Sequence, residues 1–540
     1  SSDLIGTDGG PVADDDCACS SGYRVDTNNF AHTEEGSVTR VNTHTDNNQQ
    51  IPSVAMHEDG SYVVVWQSSG QEIIFKSSGS PSFTLDEAAC QTAAYALGRN
   101  WNGGMNAWQY PRGCIIDTDN SVTYYNRETT HNYNCGNGYY GPMTCLESGY
   151  DAVYAQRYKA DGTKEGSEFK VNTDAINSQQ YASVAALDAG KFVVVWMGGQ
   201  TGSSEIYGQR FLASGTKDGG EFQVNAHTTL YQNNPSVAHV GSGKFVVTWD
   251  SYNQASGSSY NDIYVQRYSA DGTKDGSEFL VNTETGNNQE YPSVAHLGSG
   301  KFVIAWQSWN QDGSSNGIYA QRFKADGTPE YKADGTTPDE FRVNTYTSND
   351  QRYPFVAALE DGKFVVAWDS LNQDGGNDGV YAQRFKADGT PEYKADGTTP
   401  DEFRVNTYTS DNQQSPSVAH VGSGKFVVAW ESYGQDGSGN GVYAKVYSNG
   451  AVVVDEFLVN EYITGNQEKA SVAGLPNGKF VVAWESYGQD GSSDGVYFQR
   501  YFYGKQPIAG SMLCAQCDAG LVNVAGDFPS ANALTTCDTC

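Results

Sequence analysis

Apolar residues in this chain come in short runs, and the runs recur in a fixed order. Each unit reads roughly P-S-V-A, a turn, G-K-F-V-V-A-W, a polar loop, G-V-Y-A-Q-R-F, a tight turn, and E-F-x-V-N-T. Seven tryptophans mark it: Trp66, Trp196, Trp249, Trp306, Trp368, Trp430 and Trp484. Their spacings are 53 to 62 residues, apart from one of 130. A near-constant period of this length denotes an array of one supersecondary unit. Each unit holds four strand signals, rich in Val, Phe, Tyr, Ile and Trp and bounded by Gly, Asp, Asn and Ser. The sixth shows them at Ser417–Ala419, Lys425–Trp430, Gly441–Tyr447 and Glu456–Asn460. Turns such as Gly422-Ser423-Gly424 and Ala270-Asp271-Gly272-Thr273 are hairpin-short. Four antiparallel strands repeated seven times, without helical period, predict an all-β chain folded as a seven-bladed β-propeller.

The phase of the repeat predicts how the ring closes. Ser37 to Thr43 ends in Val41-Asn42-Thr43, the last element of a unit with no unit before it. The final unit has Ser471–Ala473, Lys479–Trp484 and Gly495–Tyr501, then lacks its fourth strand. The N-terminal strand therefore completes the seventh blade and removes a bare sheet edge. This places an N-terminal arm at 1–36, the propeller at 37–501 and a tail at 502–540.

An insertion at 73–148 interrupts the first unit between its second and third strands. Leu85–Leu97 is the chain's clearest helix signal, with Thr84 and Glu87 as a capping box and Gly98 as a stop. Two short strands follow, around Gly113–Ile116 and Val122–Asn126. The insertion reads as a small disulfide-rich α+β module. Its Cys90, Cys114, Cys135 and Cys145 allow three pairings. Cys17 and Cys19 lie in the arm; Cys514, Cys517, Cys537 and Cys540 lie in the tail. All ten thus avoid the blades, as disulfides in appended segments do, which points to an oxidising compartment and an extracellular or cell-surface protein. A start at Ser1 with no apolar leader is the pattern of a mature secreted chain.

A net charge of −31 and a pI near 4.5 argue against nucleic acid as a partner. No apolar run reaches the length of a membrane span. Asn-x-Ser/Thr sequons are absent from the sequence, which leaves Thr336-Thr337-Pro338 and Thr398-Thr399-Pro400 as candidate sites for O-linked sugar.

On these motifs the blades resemble the repeats of large secreted bacterial proteins in which F-x-V-N-T, Q-x-x-P-S-V-A, G-x-F-V-V-x-W, Q-D-G-S and G-I-Y-x-Q-R-F recur. The sixth unit departs, with Lys445-Val446 in place of Gln-Arg. The insertion, through Glu87–Gly98, Pro111–Cys114, Cys135 and Cys145, is similar to a cysteine module of algal and other protist extracellular proteins. The tail, through Cys514-Ala515-Gln516-Cys517 and Cys537-Asp538-Thr539-Cys540, resembles EGF- and tumour-necrosis-receptor-like repeats. Together these imply a protist surface or appendage protein. The tail resemblance implies that Cys517 pairs with Cys537, leaving Cys514 and Cys540 to bond to Cys17, Cys19 or sequence beyond. By spacing alone the same four thiols also fit a zinc ribbon. Asp518, Asp527 and Asp538 nearby, with no Lys or Arg after Lys505, favour disulfides.

Asp312, Asp374, Asp436 and Asp490 recur in Q-D-G loops and are weak Ca²⁺ candidates against an ordinary Asp-Gly turn. No cofactor is otherwise expected. Gln-Arg pairs from Gln156-Arg157 to Gln499-Arg500 recur in six units, which reads as inter-blade bonding. His239, His296 and His420 share one repeat position and read as structural. No pair of carboxylates stands out by spacing. The expectation is therefore a non-enzymatic structural subunit that self-associates head to tail into an extracellular filament, with its closing strand donated in cis or to a neighbour. A glycan-binding adhesin is the alternative, and a propeller enzyme the third class.

Overall fold

The four strands of a unit, here a to d, are plainest in blade 3. They run Gln232–Gly241, Lys244–Tyr252, Asn261–Tyr268 and Phe279–Leu280, and pair in that order as an antiparallel sheet. The computed structural model contains seven such sheets, arranged as a closed β-propeller. It describes residues 30–69 and 150–505, with breaks at 46, 174–176, 200–202, 256–258, 333–334, 395–396 and 492. Elsewhere it describes only residues 73–76, 90, 100–105, 113–117, 122–126 and 143–148 of the insertion, and the pairs 517–518 and 521–522.

Strand b explains why the repeat is so apolar. Tyr62–Ser68 is buried at every residue, because each blade is covered on both faces by its neighbours. Such a strand reads as a continuous hydrophobic run rather than an alternating one. The core is accordingly divided among the seams. One cluster joins Val303, Ala305 and Ile318 of blade 4 to Val356, Val366 and Trp368 of blade 5. All seven repeat tryptophans are fully buried. The Phe of G-K-F stacks on the last aromatic of strand c, as in Phe245–Tyr268 at 4.6 Å and Phe364–Phe385 at 4.9 Å.

Polar repeat residues bond as regularly. The Asn of V-N-T reaches back over its two-residue strand d and accepts the strand-c amide, as in Asn282 Oδ1 from Ile263 N at 2.7 Å. The Glu of E-F accepts the amide after V-N in the preceding blade, as in Glu340 Oε2 from Thr283 N at 2.7 Å. Each Arg of the Gln-Arg pairs at 157, 210, 267, 322 and 500 donates to a turn carbonyl of the next blade. The Gln partner stays within its own blade: Gln266 Nε2 donates to Arg267 O and Gly276 O. In the sixth unit Lys445, at the Gln position, donates back to the preceding blade at Val405 O and Thr407 Oγ1, and Val446 stands where the Arg would reach forward. His239 and His420 face Asp188 and Glu360 across a seam, at 3.3 and 3.0 Å.

The ring closes in cis. Thr39 and Arg40 pair with Phe498 and Tyr497, and Asn42 Oδ1 accepts Val496 N at 2.8 Å. Val41 completes the cluster that joins the seventh blade to the first. The sequence did not suggest a further strand, Phe30–Glu34, which pairs with residues 501–505 on the same edge of Asp494–Lys505, farther along it than the closing pair.

The insertion contributes strands Ile73–Lys76, Asn100–Met105, Gly113–Asp117, Val122–Asn126 and Met143–Ser148, paired as one five-stranded sheet. The predicted helix at 85–97 lies outside the described residues apart from Cys90, which is helical, buried and disulfide-bonded.

Removing residues 1–43 should uncover the edge of the seventh blade. The expected result is a lower melting temperature and self-association, read by thermal denaturation and size-exclusion chromatography. The milder Asn42→Ala should cost about 1–3 kcal/mol, the cost of orphaning one buried amide.

Candidate functional site at the channel mouth

The first strands surround a central channel of about 680 Å³. Its wall is built from P-S-V. In six seams the Ser hydroxyl oxygen accepts the amide of the next blade's Val, as in Ser53 Oγ from Val184 N at 3.3 Å and Ser417 Oγ from Val472 N at 3.1 Å. The seventh position of this belt is Phe355, which is exposed to the channel.

Above the belt every first strand bulges. The register slips between Glu290 and Ser293 in blade 4, and at the matching place in the others. The bulged residue is left-handed in all seven blades: Ile51, Tyr181, Asn234, Tyr291, Tyr353, Ser415 and Lys469, with φ of 51° to 54°. Left-handed non-glycine residues carry strain of order 1–3 kcal/mol each and persist only where their surroundings hold them. The residue after each repeat Trp does the holding, reaching from the preceding blade. Glu485 accepts from Ile51 N at 2.8 Å, Asp369 from Ser415 N at 2.9 Å, and Glu431 from Lys469 N at 2.8 Å. Asp250, Gln307 and Gln67 accept from Tyr291, Tyr353 and Tyr181 at 3.2–3.3 Å. Met197 occupies this position in blade 2 and has no such oxygen to offer Asn234.

The scaffold is thus seven-fold, and the side chains at the mouth are not. Blades 2, 4 and 5 present tyrosines, with Tyr181, Tyr291 and Tyr353 36–44% exposed. Tyr291 and Tyr353 meet edge to face at 4.8 Å. Arg352 lies over the Tyr353 ring and is paired with Asp378 at 3.0 Å. Ser415, Lys469 and Ile51 fill the other arc. The aromatic character continues outward along strand b. Trp309 stands two residues beyond Gln307, on the same side of its strand, and is exposed, as are Tyr433 and Tyr487 at the matching positions. The insertion leaves and rejoins blade 1 on this face, where Ser68 pairs with Ala152. The duplicated turns at 325–338 and 387–400 join strands c and d and lie on the opposite face.

Burial governs the acids beneath the mouth. It pushes Glu485 up to about 7 and Asp250 up to about 6, and holds Asp369 well above the usual carboxylate range. Burial raises Glu431 as well, against the opposing pull of Lys469. Glu485 also lines a polar cavity of about 230 Å³ with Glu468, Asp494, Gln50, Asn466 and Tyr487. Asp494 is itself raised by burial. This grouping leaves no periodic trace in the sequence, because Gln or Met takes the place of Glu485 in three other blades.

The Q-D-G loops form local turns. Asp312 Oδ1 accepts Ser314 N at 3.1 Å, Asp374 Oδ1 accepts Gly376 N at 3.1 Å, and Asp436 Oδ1 accepts Ser438 N at 3.0 Å. Asp490 lies 3.8 Å from Arg40. Among the described residues, no three His, Cys, Asp or Glu side chains gather closely enough to hold a metal ion. Cys17, Cys19, Cys135, Cys514, Cys537 and Cys540 lie outside the described residues, while Cys114, Cys145 and Cys517 fall in described strands.

No protein-family model matches the chain, and no curated protein matches it. Solved structures do. A Penicillium chrysogenum α-L-arabinanase in complex with arabinobiose is 14% identical, with TM-score 0.39, over 59% of this chain and 92% of its own. The polysaccharide lyase Uly1 is 11% identical, with TM-score 0.40, over 81% and 99%. A Hadza microbial sialidase is 10% identical, with TM-score 0.38, over 89% and 96%. At these identities the likeness is one of fold. The expectation of a non-enzymatic filament subunit is nonetheless corrected. Those three matches are an arabinanase, a sialidase and a polysaccharide lyase, and beneath the mouth lie buried carboxylates with raised pKa values where the sequence suggested none.

Glu485 sets a pH dependence. Its folded pKa exceeds the unfolded value, so between about pH 4.5 and 7 the folded state binds more protons and stability falls as pH rises. Glu485→Gln keeps an acceptor for Ile51 N, as Gln67 and Gln307 do for their own neighbours. The variant should match the parent near pH 4 and exceed it by up to about 3 kcal/mol at pH 8, as denaturant titrations at the two pH values would show.

Proposed function

We propose that this protein is a carbohydrate-binding propeller whose binding site is the channel mouth. The observation that carries the reading is the broken symmetry of the bulge. The same backbone, held by the same type of bond, displays solvent-facing tyrosines in blades 2, 4 and 5 only. Tyrosine offers a rigid apolar face for a sugar ring and a hydroxyl for its polar edge. Asn234, Gln414 and Ser415 add hydrogen-bonding groups around the same opening. The Cys90 disulfide supports a secreted or cell-surface setting, where glycans are displayed.

Tyr353→Ala and Tyr291→Ala should each weaken glycan binding about tenfold while leaving the melting temperature nearly unchanged. Phe355→Ser separates stability from binding more sharply. It supplies the missing seryl acceptor for Val418, so stability should hold or rise while affinity falls. Glycan-array screening followed by calorimetry on these variants tests the reading, and wild-type affinity in all three would overturn it.

Cleavage of the bound glycan is the second reading, favoured by Glu485. A carboxyl near 7 keeps its proton in about half of the molecules at neutral pH and can donate it to a leaving oxygen. Asp494 and Glu468 share its cavity. Product release from a polysaccharide panel, abolished in Glu485→Gln with folding intact, is the expected outcome; turnover that survives the substitution would remove Glu485 from the chemistry.

A further inference from the structure

Resting on the carbohydrate reading, we infer that the mouth selects neutral glycans and rejects polyanionic ones such as sulfated or uronate-rich chains. The charges around the opening carry this. Behind the bulges lie four buried acids, Asp250, Asp369, Glu431 and Glu485, which offer an anion no positive partner whether protonated or ionised. Among the described residues, two cations line the mouth, and both already have acidic partners. Arg352 Nη2 is 3.0 Å from Asp378, and Lys469 Nζ is 3.8 Å from Glu431. A sulfate or carboxylate entering the mouth would meet no unpaired cation among the described residues and would have to compete with these carboxylates. It would also approach a chain of net charge −31, whose field opposes anions at long range. A neutral sugar meets none of this. It finds the faces of Tyr181, Tyr291 and Tyr353 and the amide of Asn234, with Trp309 farther out to contact a longer chain.

The exposed surface and the buried layer agree. Gln67 and Gln307 latch two of the three tyrosines, so the aromatic arc is the less acidic half of the ring. Glu431 and Glu485 stand behind the non-aromatic arc. A neutral ligand is therefore favoured on the tyrosine side and nothing draws an anionic one across.

The full-length protein should be titrated by calorimetry with neutral plant, algal and fungal polysaccharides, with sulfated derivatives of those that bind, and with alginate and pectate. Neutral chains should bind, and their sulfated derivatives should bind at least about tenfold more weakly at low salt. The gap should narrow as added salt screens the repulsion. Tyr353→Ala should lose the neutral ligand, and Tyr291→Ala provides a second variant should the first fold poorly. Equal or tighter binding of sulfated, alginate or pectate chains would overturn the selectivity while leaving carbohydrate binding intact. No binding by any glycan would overturn both.

Discussion

No blade of this ring can bury its own surface. Strand b is apolar on both sides, and each side is covered only when a neighbour stands against it. The stability of every unit is therefore lent by the next. Closure by Thr39, Arg40 and Asn42 matters beyond the few bonds it makes, because without it two faces lose their cover. A seam can be fastened at three heights, by an Arg at the turn face, by the Ser–Val belt in the channel wall and by the latch beneath the mouth, and four of the seven seams carry all three.

The fold was legible because its causes are periodic. Burying strand b requires an apolar run in every blade, the stacked pair requires an aromatic at both ends, and the short strand d requires the Asn of V-N-T. The phase of the repeat foretold that residues near Val41 complete the seventh blade. The outer strand Phe30–Glu34 went unseen because its sequence belongs to no repeat.

The site was illegible for the converse reason. Tyr181, Tyr291 and Tyr353 occupy the unspecified positions of Q-x-x-P-S-V-A, where variation looks like noise until the bulge is seen to place them all on one opening. The residue after each Trp is similarly hidden. As Gln67, Met197, Asp250, Gln307, Asp369, Glu431 and Glu485 it shows no chemical pattern, yet six of the seven accept a bond from the next blade. Three departures from the repeat, Met197, Phe355 and Val446, each remove one fastening from a seam.

The latch has a consequence for how such a ring can change over time. Because the backbone amides of six bulged residues are gripped by a neighbouring blade, their conformation does not depend on the side chain: Ile, Tyr, Ser and Lys all adopt it here. These six positions behave as interchangeable sockets around one opening. A substitution at any of them alters what the mouth touches and leaves the seam beneath it fastened. Specificity can then drift one socket at a time, with foldability retained at each step.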